Sequence, residues 1–370
     1  MKLLYVACGH PLCESDDCLM WDRAGIKWTS TGYYAFTERP LDLPRLYKNR
    51  IEDDDIRLQT SSRHPAEVKP LLVKNLTYTG MLHNNVWKFT QEFIDKYDVI
   101  VFTHLVENIT NNWDVLKNKT VILKTFGMHE HYEEQNIRKL RNKGLIVVRN
   151  SPEEKYRCRY FGGEDHIIYG SVVTDETEIS GWTGHKPQIV TFSNTFNFGN
   201  NSPVAIKRRE RYIRLIRICM QLGISDDIFH LFGAGNDGEP LCLRKYISHQ
   251  EKIKEMQDSR INLVVGTPNA NNTFSFADSW IMGMPTVVFG RKLWQSPLSY
   301  EPDKLITNGV DGFVSDNLDE LAQMIKKLLD DYDYAKAMGE AGRKKAISVY
   351  GREIGVERWK QLFRDKGFTI

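Results

Sequence analysis

Between Asn271 and Val288 the sequence places a small-polar loop, a short apolar helix and a Gly283-Met284-Pro285 turn ahead of a β-branched run. A helix entered from such a loop aims free backbone N–H groups, here those near Thr273, Phe274 and Ser275, at whatever lies before its first turn. That arrangement suits a diphosphate. Asp278 falls one turn further in, where a carboxylate can accept both hydroxyls of a ribose; on spacing alone a solvated helix residue reads equally well. Lys207, Arg208, Arg209 and Arg211 form a second cluster, suited either to neutralising phosphate charge or to being a solvated basic helix face. His10, His104 and His129 stand just beyond apolar runs. Each could orient a hydroxyl group, though any one of them taken alone is more often structural than catalytic.

The elements that must position these groups follow from hydrophobic patterning. Apolar runs at Val99–Phe102, Thr120–Leu123 and Leu145–Val148 read as buried strands, and so do Gln188–Phe192, Ile228–Phe232, Ile261–Val265 and Thr286–Phe289. Segments with helical periodicity alternate with them: Asn85–Tyr97, Glu130–Lys143, Ile206–Leu222, Ser248–Asp258 and Phe274–Met282. Strands alternating with helices predict an α/β fold with parallel sheets covered on both faces. Ligands of such sheets bind beyond the carboxyl ends of the strands, where the sequence places Gly9, Asn194 and Gly235; Tyr246, ahead of the next helix, could lie against a base. The pattern restarts after a polar seam at Thr174–Pro187, so we expect two α/β domains, residues 1–180 and 181–350. The tail after residue 317 reads as three consecutive helices, the last over Arg352–Phe363.

Composition narrows the function classes. Fifty Lys and Arg against 48 Asp and Glu leave a formal charge of +2, which gives no global drive toward nucleic acid or an anionic membrane. No run of the sequence is apolar for long enough to span a bilayer. The apolar start at Met1–Ala7 reads as a first strand rather than a secretory leader, which implies a reducing cytoplasm with free thiols. The five sequons, at Asn75, Asn108, Asn118, Asn200 and Asn271, then read as a by-product of an Asn-rich composition. Cys8, Cys13 and Cys18 with His10 do not match a structural zinc spacing. Asp16-Asp17 and Asp53–Asp55 end no clear strand beside a nucleotide site, so no metal or cofactor is expected. The long polar stretch Tyr33–Lys74, which carries Arg39 and Arg45, reads as a functional loop.

The stretch from Asp278 to Val288 resembles the small-x-Gly-x-Pro-Val-Val pattern, preceded by an acidic residue, of retaining GT-B glycosyltransferases of the family 4 type. Ile306–Val314, Leu318–Leu329 and Met338–Arg343 follow in that family's order, and Tyr97–His104 looks like its strand ending in histidine. The resemblance implies GT-B architecture: two Rossmann-like domains with a central cleft, and a C-terminal helix, residues 351–370, crossing back to the first. It implies transfer of a sugar, a hexose, from a UDP-linked donor to an acceptor hydroxyl, metal-independent and with retention. Donor binding falls to Gly9, Asn194, Lys207, Arg208, Arg209, Gly235, Tyr246, Thr273, Phe274, Ser275 and Asp278. The catalytic candidates are His104 and His129, and His10, Arg39 and Arg45 are candidates for the acceptor. The family's first glutamate is replaced by Ala270, so the pattern leaves the donor sugar open.

The acceptor could be a surface glycan, a lipid-linked sugar or a small molecule. Two further readings stand beside this one. A phage-like DNA glycosyltransferase acting on hydroxymethylated pyrimidines would use the same fold, but the first 185 residues carry 24 Lys and Arg against 26 Asp and Glu, where a duplex-binding face is usually basic. An inactive GT-B domain used for binding or assembly is the other, and a sugar-nucleotide epimerase is a minor enzymatic option.

Overall fold

The computed structural model describes residues 1–7, 11–31, 48–51, 72–73, 76–81, 84–126, 129, 131–156, 160–170, 179, 181–193, 203–233, 242–244, 249–266, 274–294 and 301–370. The chain divides into two compact units, Met1–Ser171 with Glu353–Ile370, and Val172–Arg352.

The first unit contains β1 (Lys2–Val6), α1 (Pro11–Arg23), β2 (Lys27–Ser30), β3 (Leu72–Val73), β4 (Leu76–Met81), β5 (Asn84–Phe89) and the short α2 (Gln91–Ile94). β6 (Val99–Thr103), α3 (Val106–Leu116), β7 (Thr120–Lys124), α4 (His131–Arg141), β8 (Ile146–Arg149) and β9 (His166–Ile167) complete it, apart from a helix supplied from the chain's far end. Its sheet has six strands in the order β2-β1-β6-β7-β8-β9, all parallel. β6 is apolar on both faces, as a strand between two helical layers must be.

One expectation fails here. Asn85–Tyr97 is not a single helix: Asn84–Phe89 pairs antiparallel with β4, and only Gln91–Ile94 is helical. Thr90 separates the two, extended in backbone and accepting from the Phe93 N–H at 3.3 Å. Phe89 and Phe93 still stack at 5.6 Å, so apolar residues at spacing four meet through a strand–cap–helix corner.

The second unit runs β10 (Lys186–Phe192), α5 (Pro203–Gln221), β11 (Phe229–Phe232), β12 (Cys242–Arg244), α6 (His249–Asp258), β13 (Ser259–Val264), α7 (Phe274–Met282), β14 (Thr286–Phe289), α8 (Arg291–Trp294), α9 (Pro302–Leu305), β15 (Phe313–Ser315), α10 (Leu318–Asp330) and α11 (Tyr332–Tyr350). Its six parallel strands are ordered β12-β11-β10-β13-β14-β15. α10 buries Leu318, Leu321, Ala322, Ile325 and Leu328 along one stripe, and Asn317 caps its start by accepting from the Asp319 N–H at 2.9 Å.

The last helix, α12 (Arg352–Asp365), returns to the first unit from Glu353 onward. Trp359 is fully buried there, edge-on to Trp21 at 5.2 Å and stacked on Phe363 at 5.6 Å. Gly355 lets α12 approach α1, because a Cβ at that position would lie 2.3 Å from the Met20 sulfur. Among the described residues, no helix is long and apolar enough to cross a membrane.

Candidate functional site

In both sheets the chain starts in an interior strand, builds outward to one side, then crosses to the other. This sets a topological switch point between β1 and β6 in the first unit and between β10 and β13 in the second. Crevices at the carboxyl ends of such strand pairs are where doubly wound sheets hold ligands.

In the second unit the crevice is bordered by the N-terminus of α7, which is fixed from several sides. The buried Asn262 of β13 donates to the Ser275 carbonyl at 3.1 Å and to Ser279 Oγ at 2.8 Å. Trp280 donates to the Asp311 carbonyl at 2.6 Å, and Arg343 donates to the Ile281 carbonyl at 2.6 Å, closing the far end of the helix. α11 can come this close because of its glycines. A Cβ on Gly339 would sit 2.0 Å from the Gly283 carbonyl oxygen, and one on Gly342 would sit 2.6 Å from Trp280 Nε1. Gly283, with φ of 82°, ends α7 in the left-handed conformation that glycine takes without strain. Asn308 donates to the Val314 carbonyl at 2.9 Å and accepts from its N–H at 2.7 Å, which shapes the turn before β15. The motifs of residues 278–343 thus form a scaffold whose output is the position of one helix terminus.

The basic cluster of α5 separates by burial. Lys207 is exposed and Arg209 half-buried. Arg211 reaches across to α8 and donates to the Lys292 carbonyl at 3.1 Å. Arg208 alone is buried, at 1% exposure, and donates to the Gly266 carbonyl at 2.9 Å, just past the end of β13. It is therefore the member of the cluster fixed at the switch point. Ser275 is buried in the first turn of α7. Asp278 is fully buried and pairs with Lys252 of α6, Nζ to Oδ2 at 2.6 Å. Lys252 went unnoticed in the sequence, since a lysine in an amphipathic helix rich in Glu and Lys carries no mark of its partner.

In the first unit His104 follows β6 at the β1/β6 switch point and is the one non-glycine with positive φ among the described residues, at 64°. Its N–H donates to the Lys124 carbonyl at 2.9 Å. His129 Nε2 lies 2.6 Å from the His104 carbonyl, and the two rings are 4.8 Å apart. A carbonyl only accepts, so the proton sits on His129 Nε2. His129 is buried and holds the turn, whereas His104 is half-exposed at the strand end. The structure thus brings the two histidines together and gives them different tasks. Below them Lys124 and Asp17 form a fully buried ion pair, joined by Tyr5, whose hydroxyl donates to Asp17 at 3.2 Å; burial raises the Asp17 carboxyl against the pull of Lys124.

Gly9, His10, Arg39, Arg45, Asn194, Gly235, Tyr246 and Thr273 lie outside the described residues, as does the side chain of Phe274. Among the described residues no cluster of three or more His, Cys, Asp or Glu is placed to hold a metal ion.

At the β14 and β15 edge, burial and the Asp316 carboxylate push Asp303 up to about 6, against the opposing pull of Arg291 and Lys304. A carboxyl raised in the folded state binds its proton more tightly there than in the unfolded chain. Its stabilising contribution is full below the ordinary value of 3.8 and is lost as pH rises through about 6. Asp303→Asn is therefore expected to melt higher than the parent at pH 7.5, with the gap narrowing at pH 5. Equal gaps at the two pH values would refute the assignment.

Two parallel six-stranded α/β units, with a terminal helix returned to the first, define the GT-B fold. No protein-family model matches the sequence, and no curated protein matches it. Solved structures do match along nearly the whole chain. A glycosyltransferase from Rickettsia africae ESF-5 has a TM-score of 0.63 at 13% identity, covering 98% of this chain and 98% of that one. Anabaena Alr3699/HepE, solved in complex with UDP, has a TM-score of 0.62 at 14% identity, covering 99% and 100%. Sucrose-phosphate synthase from Thermosynechococcus elongatus has a TM-score of 0.61 at 11% identity, covering 99% and 98%. At these identities the likeness is one of fold.

Proposed function

We propose that the chain is a glycosyltransferase of the retaining, family 4 type, moving a hexose from a UDP-linked donor to an acceptor hydroxyl without a metal ion. The observation that carries this reading is the second unit's switch point, where the clamped N-terminus of α7 and the buried guanidinium of Arg208 border the same strand ends. As the bond to the sugar breaks, negative charge grows on the leaving diphosphate. Backbone N–H groups at a helix N-terminus and a fixed cation stabilise that charge without reorganising. The scaffold of Trp280, Arg343 and the α11 glycines keeps those donors in place before the donor arrives. Structures of the same fold with UDP bound, such as Anabaena HepE, support the choice of nucleotide. The acceptor side falls to the first unit, with His104 as the group that meets the acceptor hydroxyl and His129 as its support.

The test is thermal stabilisation by UDP, with ADP and GDP for comparison, followed by donor turnover in EDTA. A ligand that binds only the native state raises the melting temperature, and UDP is expected to do so most. Turnover is expected to survive chelation. No shift with any of the three nucleotides would sink the reading, and activity lost to EDTA and restored by a divalent ion would sink the metal-independent mechanism. Slow hydrolysis of the donor in the absence of acceptor separates an active transferase from a binding-only domain.

A further inference from the structure

α5 carries an uneven share of the chain's charge. Six lysines and arginines stand between Lys207 and Arg217 against Glu210 alone, in a protein whose formal charge is only +2. Arg208 and Arg211 are engaged at backbone carbonyls. Lys207, Arg214 and Arg217 are exposed, and none of the three forms an ion pair with a described residue. At 3.6 residues per turn these three share one side of the helix. The opposite side, with Tyr212, Leu215, Ile216 and Cys219, lies in the core of the second unit.

An apolar strip flanks the cations. Ile206, Ile213 and Met220 repeat at a spacing of seven over about 21 Å of helix. Ile206 is 44% exposed and Met220 48%, with Ile213 half-buried between them. Ile206, Met220, Val310 and Tyr332 are the large apolar side chains exposed among the described residues of the second unit, so half of them lie on this strip. Asp226 and Asp227, exposed beyond the Gly223 turn, mark where the basic face ends.

The two strips together select the occupant. A second copy of α5 would set like charge against like. A coiled-coil partner needs apolar residues at alternating seam positions, but one turn beyond Ile206 and Ile213 stand Glu210 and Arg217. Nucleic acid would take the cations and leave the apolar strip without a role. An anionic bilayer uses both, since its headgroups neutralise the cations and its interface accepts the apolar flank of a helix lying in its plane. We propose that this face of α5 docks the protein on an anionic bilayer surface, with Lys207, Arg214 and Arg217 at the headgroups and Ile206, Ile213 and Met220 against the outermost acyl carbons. α5 carries this role whether or not the transferase reading above holds.

The experiment is co-sedimentation of the full-length protein with vesicles of phosphatidylcholine alone or mixed equally with phosphatidylglycerol. Binding is expected to the mixed vesicles only, and to weaken as salt is raised. Replacing Lys207, Arg214 and Arg217 by Gln is expected to weaken it by about fivefold each, the worth of one Lys or Arg near an anionic surface, and so by about 100-fold together. Ile206→Ser with Met220→Ser should weaken it further at unchanged charge. All five side chains are half-exposed or more exposed, so the variants are expected to melt like the parent. Gln at the exposed Lys304, Lys336 and Lys344, elsewhere on the second unit, should leave binding intact. Failure to bind the mixed vesicles would overturn the proposal. Equal loss from the two triple variants would overturn the assignment to α5, by making the attraction diffuse. Unchanged binding in the serine variant would overturn the seating of the apolar strip. Capture of duplex DNA in place of vesicles, lost in the α5 triple variant, would replace the bilayer with nucleic acid.

Discussion

His104→Ala is expected to lower kcat for sugar transfer by about 10²- to 10⁴-fold, the range of a positioned acid–base group, while leaving UDP affinity unchanged. The imidazole stands at the end of β6 in a left-handed conformation, φ 64°, that costs a residue with a Cβ roughly 1–2 kcal/mol. Backbone strain of this kind persists where the surroundings over-determine it. Here the Lys124 carbonyl takes the N–H and the buried His129 ring donates to the carbonyl. His104→Gly relieves the strain, so it should melt no lower than His104→Ala and yet be equally slow. Normal turnover in either variant would remove His104 from the reaction. A collapse of nucleotide binding would show that the substitution had disturbed more than the acceptor side.

Trp359→Ala is expected to destabilise the first unit by roughly 3–5 kcal/mol, as for other large buried aromatics. The indole has no exposed surface and packs against Trp21, Phe363 and the Lys124 ammonium, the last at 5.9 Å. Removing it opens a cavity beside the buried Lys124–Asp17 pair, where entering water would also reach charges now sealed away. At about 2–4 °C per kcal/mol for a unit of this size, the first unit's calorimetric transition should fall by some 6–20 °C. Trp359→Phe should recover much of the loss. A shift of a degree or two in the alanine variant would mean that α12 adds little to this core.

How much of this was legible in the sequence depended on how local the determining physics was. β6, β7 and β14 stand where their apolar runs begin, because a strand buried on both faces must be apolar throughout, while β10 starts two residues ahead of its run, at Lys186. α7 also appears at its expected bounds, and the last helix begins at Arg352 as expected and runs two residues past Phe363. Asn84–Phe89 misled because Val86, Phe89, Phe93 and Ile94 fit a helical period, while the partner that makes it a strand, β4, lay in a stretch with no strong pattern. At the site, the α7 terminus could be read from its loop and its Gly-x-Pro turn. Arg208 could be named only as one of four cations, because burial against Gly266 is decided 58 residues away. Lys252 left no signal at all, since its meaning comes from Asp278, 26 residues further on. Asp17 and Lys124 illustrate the same limit across 107 residues.

The return of α12 makes the second unit an insertion within the first, and this sets an order of events during synthesis. Residues Val172–Arg352 are contiguous and complete as soon as they leave the ribosome. The first unit is begun earlier but lacks Val356, Trp359, Leu362 and Phe363 of its core until the whole of the second has been made. At 5–20 residues per second, that is a wait of roughly 10–40 s. During it Trp21 and Met20 lack the α12 side of their packing, and the earlier-made half is the one that a chaperone or a protease would meet.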